Sequence, residues 1–313
     1  MAEQPLVSAI IPVYNGAPFI ADAIDSVLRQ TYPHVECVVV DDGSTDATPE
    51  ILRSYGGRVT VVTQPNCGVS AARNAGVAAG RGVLLAFLDA DDIWLPEKLD
   101  RQVAVALANP RVGLVYSGFR VVDVDGNRRY DVLATDWKRR VRGAMLLEGY
   151  GLGFAFTGMI TREASETVGP FDVRLSTSAD LDYVWRVSQK FLGVGVVEPL
   201  SLYRQHGRSQ MHNDLRAFEH DVGLIHREAL SVTPYVHGMY RRAQANAAMH
   251  LAIGYAVRGR VGRAARHTFR ATVRRPDRVL LAPAEIAMRR LTRLVWRRWP
   301  LFVSATSGRR DPV

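Results

Sequence analysis

Val83-Leu84-Leu85-Ala86-Phe87-Leu88-Asp89-Ala90-Asp91-Asp92 is the stretch whose reading decides the fold. Six apolar residues end in three acids within four positions, and Gly80 and Gly82 precede the run. The run has strand length and no helical period, as expected for a strand buried on both faces of a parallel sheet. Acids at the carboxyl end of such a strand sit where open α/β sheets bind ligands. In a fully extended strand Asp89 and Asp91, two apart, point the same way. Oxygen ligands at that spacing suit Mg²⁺ or Mn²⁺, and a divalent ion suits a diphosphate. The alternative is an acidic cap on the helix that starts near Pro96.

Working outward, the first 110 residues alternate strand and helix. Val7–Pro12, Val35–Val40 and Val59–Thr63 are expected strands, with Pro12 ending the first. Between them, Phe19, Ile20, Ala23, Ile24, Val27 and Leu28 form one apolar stripe of a helix opened by Pro18. Thr48-Pro49 opens a second helix and Val69–Ala79 is a third, capped by Gly80. Alternation at this spacing implies a parallel, doubly wound sheet with right-handed crossovers. Asp42 ends the second strand as Asp89 and Asp91 end the fourth, so these acids share one edge. No G-x-G-x-x-G and no Walker A sequence follows the first strand, which excludes those two nucleotide-binding patterns. Beyond Gly113 short strands are expected at 115–118, 120–124 and 128–132, with Asp125-Gly126 as a hairpin turn. A helix should run from Asp180 to about Lys190, and beyond Leu215 only helices are expected.

Composition bounds the rest. The 313 residues are 47% hydrophobic and 23% charged, the balance of a soluble globular protein. Cys37 and Cys67 offer neither a disulfide framework nor a zinc pattern, which suits a reducing cytoplasm. No signal peptide is expected from Met1–Pro5, and no apolar run approaches the roughly 18 residues of a membrane span. Of 40 Lys+Arg, 19 lie after Leu215 with only six acids, a local +13 behind a −4 front. Such asymmetry suggests an anionic partner, either membrane surface or nucleic acid. No RNA- or DNA-binding motif accompanies the charge, so no nucleic acid is expected. Ala284, Ala287, Met288, Leu291, Leu294, Val295 and Trp299 recur at helical spacing, with Arg289, Arg290, Arg293 and Arg297 opposite. An apolar stripe with an Arg-rich face suits a membrane interface, and also suits packing on the helical hairpin expected at 240–273.

Four motifs occur in order: Ile11-Pro12-Val13-Tyr14-Asn15, Val40-Asp41-Asp42-Gly43-Ser44-Thr45-Asp46, Gly68-Val69-Ser70-Ala71-Ala72-Arg73-Asn74 and Leu88-Asp89-Ala90-Asp91-Asp92. Over about the first 210 residues the chain resembles the family 2 glycosyltransferases of the GT-A fold. The resemblance implies transfer of a sugar from a nucleotide-diphosphate donor, with UDP as the expected nucleotide, to an acceptor hydroxyl with inversion. It implies a glycan or lipid-linked acceptor in cell-envelope or polysaccharide synthesis. By the same resemblance Pro12, Tyr14, Asn15 and Asp42 hold the base, Arg73 lies near the nucleotide, and Asp89 and Asp91 bind ribose and metal. Asp41 is expected to cap a turn with Ser44.

A Gly-x-Phe-Asp turn followed by Glu-Asp marks the catalytic base in similar enzymes. Here Gly169-Pro170-Phe171-Asp172 precedes Ala179-Asp180-Leu181-Asp182, so Asp180 falls on the base position and Ala179 replaces the Glu. Asp180 and Asp182 also suit the first turn of a helix. A carboxylate can deprotonate an acceptor hydroxyl, and a divalent ion can neutralise a leaving diphosphate. Tyr203-Arg204-Gln205-His206 resembles the family's Tyr-Arg-x-His segment, which offers His206 to the metal or diphosphate. The Gln-x-x-Arg-Trp of processive members is absent, which implies single addition. The expected organisation is 1–112 for the donor, 113–214 for acceptor and catalysis, and a basic helical region at 215–313. Three other readings stay open: a sugar-nucleotide pyrophosphorylase, a binding module that kept the nucleotide site, and an anionic-surface or nucleic-acid binder acting through its Arg-rich tail.

Overall fold

The structure is a computed structural model that describes residues 4–134, 154–206, 214–232 and 237–274. It divides into two compact units, residues 1–247 and 248–313.

The first unit is built on a nine-stranded sheet. The strands are β1 (Val7–Val13), β2 (Val35–Asp41), β3 (Thr60–Thr63), β4 (Leu84–Phe87), β5 (Ile93–Trp94), β6 (Val112–Val122), β7 (Arg128–Val132), β8 (Met159–Thr161) and β9 (Leu192–Arg204). Their order is β3-β2-β1-β4-β8-β6-β9-β5, with β7 added beside β6. The first four strands pair in parallel, while β8 runs antiparallel to β4 and β6. Helices α1 (Ile20–Leu28), α2 (Thr48–Ser54), α3 (Val69–Ala79) and α4 (Lys98–Leu107) follow the first four strands. This is the doubly wound, mostly parallel arrangement expected from the alternation.

Side-chain alternation sends each strand's residues to two cores. Val7, Ala9, Ile11 and Val13 join Ile20, Ile24, Val27, Leu84 and Leu99 on one face. Ile10, Leu85 and Phe87 join Leu114, Tyr116, Phe171 and Tyr183 on the other. Each fully buried aliphatic contributes about 1.5–3 kcal/mol, so the buried Ile20, Ile24 and Val27 hold α1 against β1.

Several local expectations shift. β1 runs through Pro12 to Val13 even though it is a central strand. The reason is geometric. Ile10 O accepts from Leu88 N on the β4 side, and Pro12, two residues on, faces that same side past the end of β4. Its missing N–H therefore costs no ladder bond. The segments 115–118 and 120–124 merge into one strand, β6, because β9 pairs with it in parallel along nearly its whole length. Helix α4 begins at Lys98 rather than Pro96, and Phe19 lies outside α1 as its N-cap residue.

After β7 come α5 (Phe154–Thr157), α6 (Arg162–Val168), α7 (Ala179–Ser188), α8 (Leu215–Val232), α9 (His237–Val257) and α10 (Val261–Arg274). The described part beyond Leu215 is helical, as expected. The second unit holds the end of α9 and α10, joined at Arg258-Gly259-Arg260 with Gly259 at φ +69°. There Tyr255 stacks on His267 at 5.5 Å. No described helix is long and apolar enough to cross a membrane. The Arg-rich stripe expected at 284–299 lies outside the described residues.

Candidate active site at the carboxyl edge of the sheet

The acids expected to share one edge lie at the carboxyl ends of β2 and β4, on either side of β1. At the β1 end the chain turns through Tyr14, Asn15 and Gly16. Asn15 adopts φ +53°, a left-handed conformation that Asn tolerates better than most residues. Its Oδ1 accepts from Thr45 N at 2.8 Å, and its own N–H donates to Ser44 Oγ at 2.9 Å. Asp46 Oδ2 accepts from Ala17 N. The two loops are thereby laced together, and Tyr14 is left 50% exposed above them.

Asp41 and Asp42 divide their work. Asp41 Oδ1 accepts from Ser44 N at 2.9 Å and closes the turn, as expected. Asp42 is buried and accepts from Gln64 Nε2, Cys67 N and Gly68 N at 2.7–2.9 Å. It fixes the loop that leads into α3.

Strand β4 stops at Phe87, and Asp92 N donates back to Asp89 O in a turn. Asp89 and Asp91 therefore do not extend the strand, and strand alternation does not aim them. Separate partners do. Asp89 Oδ1 meets Arg73 Nη2 at 2.8 Å, and Asp91 Oδ2 lies 2.9 Å from His206 Nε2. Burial pushes the Asp89 carboxyl up to about 6 against the pull of Arg73, with Asp91 and Asp180 adding repulsion. Arg73 itself is buried on α3, and its Nε has no hydrogen-bond partner among the described residues.

Asp180 occupies the first turn of α7. Its Oδ1 accepts from Leu181 N at 2.8 Å. Burial raises its pKa and the field of Arg73 opposes the rise, so one guanidinium serves both Asp89 and Asp180. Asp182 differs: it is buried, and its Oδ2 is held by Arg186 Nε and Nη2 at 2.8 Å. Of the two acids on α7, Asp180 faces the charged edge and Asp182 belongs to an internal ion pair.

Three residues went unassigned in the sequence. Phe19 reads as part of a helix stripe, yet its ring stacks on His206 at 4.7 Å and lies 5.0 Å from the Arg204 guanidinium carbon. Arg204 pairs with Asp22 at 2.8 Å, and its backbone N–H donates to Asp92 Oδ1 at 2.9 Å. Asp92 is buried, and burial together with Asp91 and Asp89 raises its pKa well above the ordinary range. Local motifs contain Arg204 and Asp92 but could not reveal their partners, since Arg204 meets Asp22 across 182 residues.

The donors at this edge fit a divalent metal. Asp91 and His206 pair a carboxylate with an imidazole, and Mg²⁺ or Mn²⁺ commonly takes one or two carboxylates plus substrate phosphates. Among the described residues no three His, Cys, Asp or Glu side chains gather to hold an ion unaided. A cleft of about 410 Å³ lies at the opposite, amino edge beside Val83, Thr161 and Glu163.

Residues 8–168 match the family model described as glycosyl transferase family 2, just over half of the chain. The chain belongs to glycosyl transferase family 2. It is 32% identical over 224 residues to an uncharacterized glycosyltransferase of Rickettsia prowazekii, covering 69% of this chain and 70% of that one. Other Rickettsia relatives are matched over only 27% to 61% of their own length. A putative teichuronic acid biosynthesis glycosyltransferase of Bacillus subtilis, TuaG, is 39% identical over 127 residues, which is 39% of this chain and 50% of that one. Among solved structures, the mannosyltransferase PcManGT of Pyrobaculum calidifontis, in complex with GDP-Man and Mn²⁺, superposes with a TM-score of 0.61 at 20% identity. That match covers 94% of this chain and 84% of the neighbour, and it shows the GT-A fold. The pyrophosphorylase reading gives way to this membership.

Proposed function

We propose that the chain transfers a sugar from a nucleotide-diphosphate donor, with UDP as the expected nucleotide, to an acceptor hydroxyl with inversion. One observation carries this reading: Arg73 pairs with Asp89 at 2.8 Å and its charge also acts on Asp180, which links a donor-side acid to the acid in the base position. Residues 1–112 hold the donor. Pro12, Tyr14 and Asn15 border the base, with Asp42 ordering the loop beside it, and Tyr14 offers an exposed ring to stack on. Asp89 and Arg73 bind the ribose and diphosphate side. Asp91 and His206, together with Asp89, would hold a divalent ion, which would neutralise charge on the leaving diphosphate. The complex of PcManGT with GDP-Man and Mn²⁺ supports metal use. Residues 113–214 form the acceptor side.

Asp180 takes the proton from the acceptor hydroxyl as the oxygen attacks the anomeric carbon. The bond to the diphosphate breaks on the opposite face of the ring, and no covalent enzyme intermediate is needed. Asp182, tied to Arg186, keeps α7 in place. A glycan or lipid-linked acceptor in cell-envelope polysaccharide synthesis fits the TuaG likeness.

The basic region 215–313 associates peripherally with an anionic membrane surface at the cytoplasmic face. Val261, Ala265, Phe269 and Val273 are exposed at i, i+4 spacing on α10. Residues 248–276 contain no Asp or Glu and include Arg258, Arg260, Arg263, Arg266, Arg270 and Arg274. An apolar stripe with Arg around it suits an interface, at about 1 kcal/mol per Arg near an anionic leaflet.

The decisive experiment is a donor panel of UDP- and GDP-sugars, reading release of nucleoside diphosphate with Mn²⁺ and with EDTA. Metal-dependent release by wild type, lost in Asp91→Ala, is expected. Equal release in EDTA would remove the metal from the mechanism. Phe269→Asp should lower pelleting with phosphatidylserine vesicles, and unchanged pelleting would refute the role of α10.

A further inference from the structure

Asp221, on α8, lies outside the matched region 8–168 and beyond the stretch that carries the resemblance. It is 1% exposed. Its Oδ2 accepts from three consecutive backbone N–H groups, those of Ser176 (3.0 Å), Thr177 (2.7 Å) and Ser178 (3.1 Å), and from Thr177 Oγ1 (3.0 Å). Its Oδ1 lies 3.2 Å from His220 Nδ1. A carboxylate that accepts several backbone N–H bonds is strongly anchored, since each charge-assisted bond exceeds a neutral one.

Those three residues are the run-up to α7. Ser178 is the N-cap residue of that helix, yet its side chain makes no capping hydrogen bond. The first turn of a helix normally finds such an acceptor locally. Here a carboxylate from another helix orders the residues just before it, and Asp180 follows two positions on. The rest of the run-up is tied to α3, the helix that bears Arg73. Asn74 brackets Phe171 through both of its amide atoms, and Ser70 Oγ donates to Leu175 O at 2.7 Å. The lacing from α3 ends at Leu175 and leaves the final three residues to Asp221.

We infer that Asp221 is a positioning residue: it fixes the start of α7 and so sets where the Asp180 carboxylate stands relative to the donor. The inference rests on the proposed role of Asp180. Catalysis by a positioned base is sensitive to displacement of about 1 Å, whereas nucleotide binding on the α3 and β4 side needs no part of α7.

Asp221→Asn and Asp221→Ala test this. The Asn variant keeps the shape and removes the charge, so an informative protein remains should Ala not fold. Three quantities are read: affinity for UDP and for GDP with Mn²⁺ by titration, turnover of whichever donor wild type uses, and the Asp180 carboxyl titration by ¹³C NMR, assigned with Asp180→Asn. The expected result is nucleotide affinity within about two-fold of wild type, turnover down about ten-fold or more in Ala and less in Asn, and an Asp180 midpoint moved toward the ordinary carboxylate value as water reaches it. Wild-type turnover and an unmoved midpoint in both folded variants would overturn the inference. So would parallel losses of affinity, turnover and Tm, the mark of a purely structural residue. If Asp180→Asn keeps full turnover, the base assignment fails instead, and the carboxyl titration still decides whether Asp221 positions Asp180.

Discussion

Asp180→Asn and Asp182→Asn, two residues apart on one helix, should separate catalysis from stability. Asp182 is buried, accepts a charge-assisted hydrogen bond of 2.8 Å from Arg186 Nε, and has Arg186 Nη2 within ion-pair distance of the same oxygen. Hydrogen bonds to charged groups contribute about 1.5–3 kcal/mol, and Arg186 is 23% exposed, which tempers the loss. Arg186 also donates to the carbonyls of Val168 and Pro170, so its position should survive. Asp182→Asn should therefore lose about 1–2 kcal/mol while turnover per folded molecule stays near wild type.

Burial raises the Asp182 pKa against the pull of Arg186; Asp180 differs in having, among the described residues, no arginine hydrogen bond to lose. Burial raises the folded pKa of Asp180 too, so the native state binds the proton more tightly than the unfolded chain. Stability falls as pH rises from the unfolded value of about 3.9 through the raised folded one. Asn carries no charge to desolvate, so Asp180→Asn should be at least as stable as wild type at pH 7. Its turnover should drop about 10²-fold or more, roughly 2.7 kcal/mol of transition-state stabilisation. Wild-type turnover should rise with pH along a limb displaced above the ordinary carboxylate range. Thermal unfolding combined with nucleoside diphosphate release reads all of this. Loss of turnover in Asp182→Asn with Tm intact, beside an active Asp180→Asn, would refute the assignment.

Lys98 and Gly76 offer two further tests. Lys98 is fully buried, bonded to Gln102 Oε1 at 2.6 Å and 4.0 Å from the Trp94 ring centroid, and burial holds its pKa well below the ordinary ammonium value. The unfolded chain binds that proton more tightly, so stability should rise with pH between the lowered value and about 10.4. Lys98→Met should flatten this slope in denaturant titrations, and an unchanged slope would show that the ammonium is already solvated. At Gly76 a Cβ would run into Ile10 Cγ2, so Gly76→Ala must lift α3 from β1. A cost of about 1–3 kcal/mol is expected, with weaker nucleotide binding through Arg73, whereas Gly57→Ala, which meets nothing within 4 Å, should be neutral.

Much of this protein was legible along the chain because the signals are local. A run such as Val83–Leu88 declares a buried strand by composition, and alternating periods of two and 3.6 declare the parallel half of the sheet. Acids at strand ends gather at one edge of the sheet, and the four motifs carry the family. Asp180 could be separated from its neighbours only through the Gly169–Asp172 turn and the family pattern.

The tertiary structure decided what depends on partners far away in sequence. Two expected strands became one because β9 pairs with β6 along nearly its whole length. Asp89 and Asp91 are aimed by Arg73 and His206 rather than by strand alternation. Phe19 left its helix stripe for Arg204 and His206, and Asp221 reached back to Ser176–Ser178. Periodicity records which face a residue turns to the core, whereas a carboxylate's pKa and aim depend on the charges and donors that the packed sheet brings within a few ångströms of it.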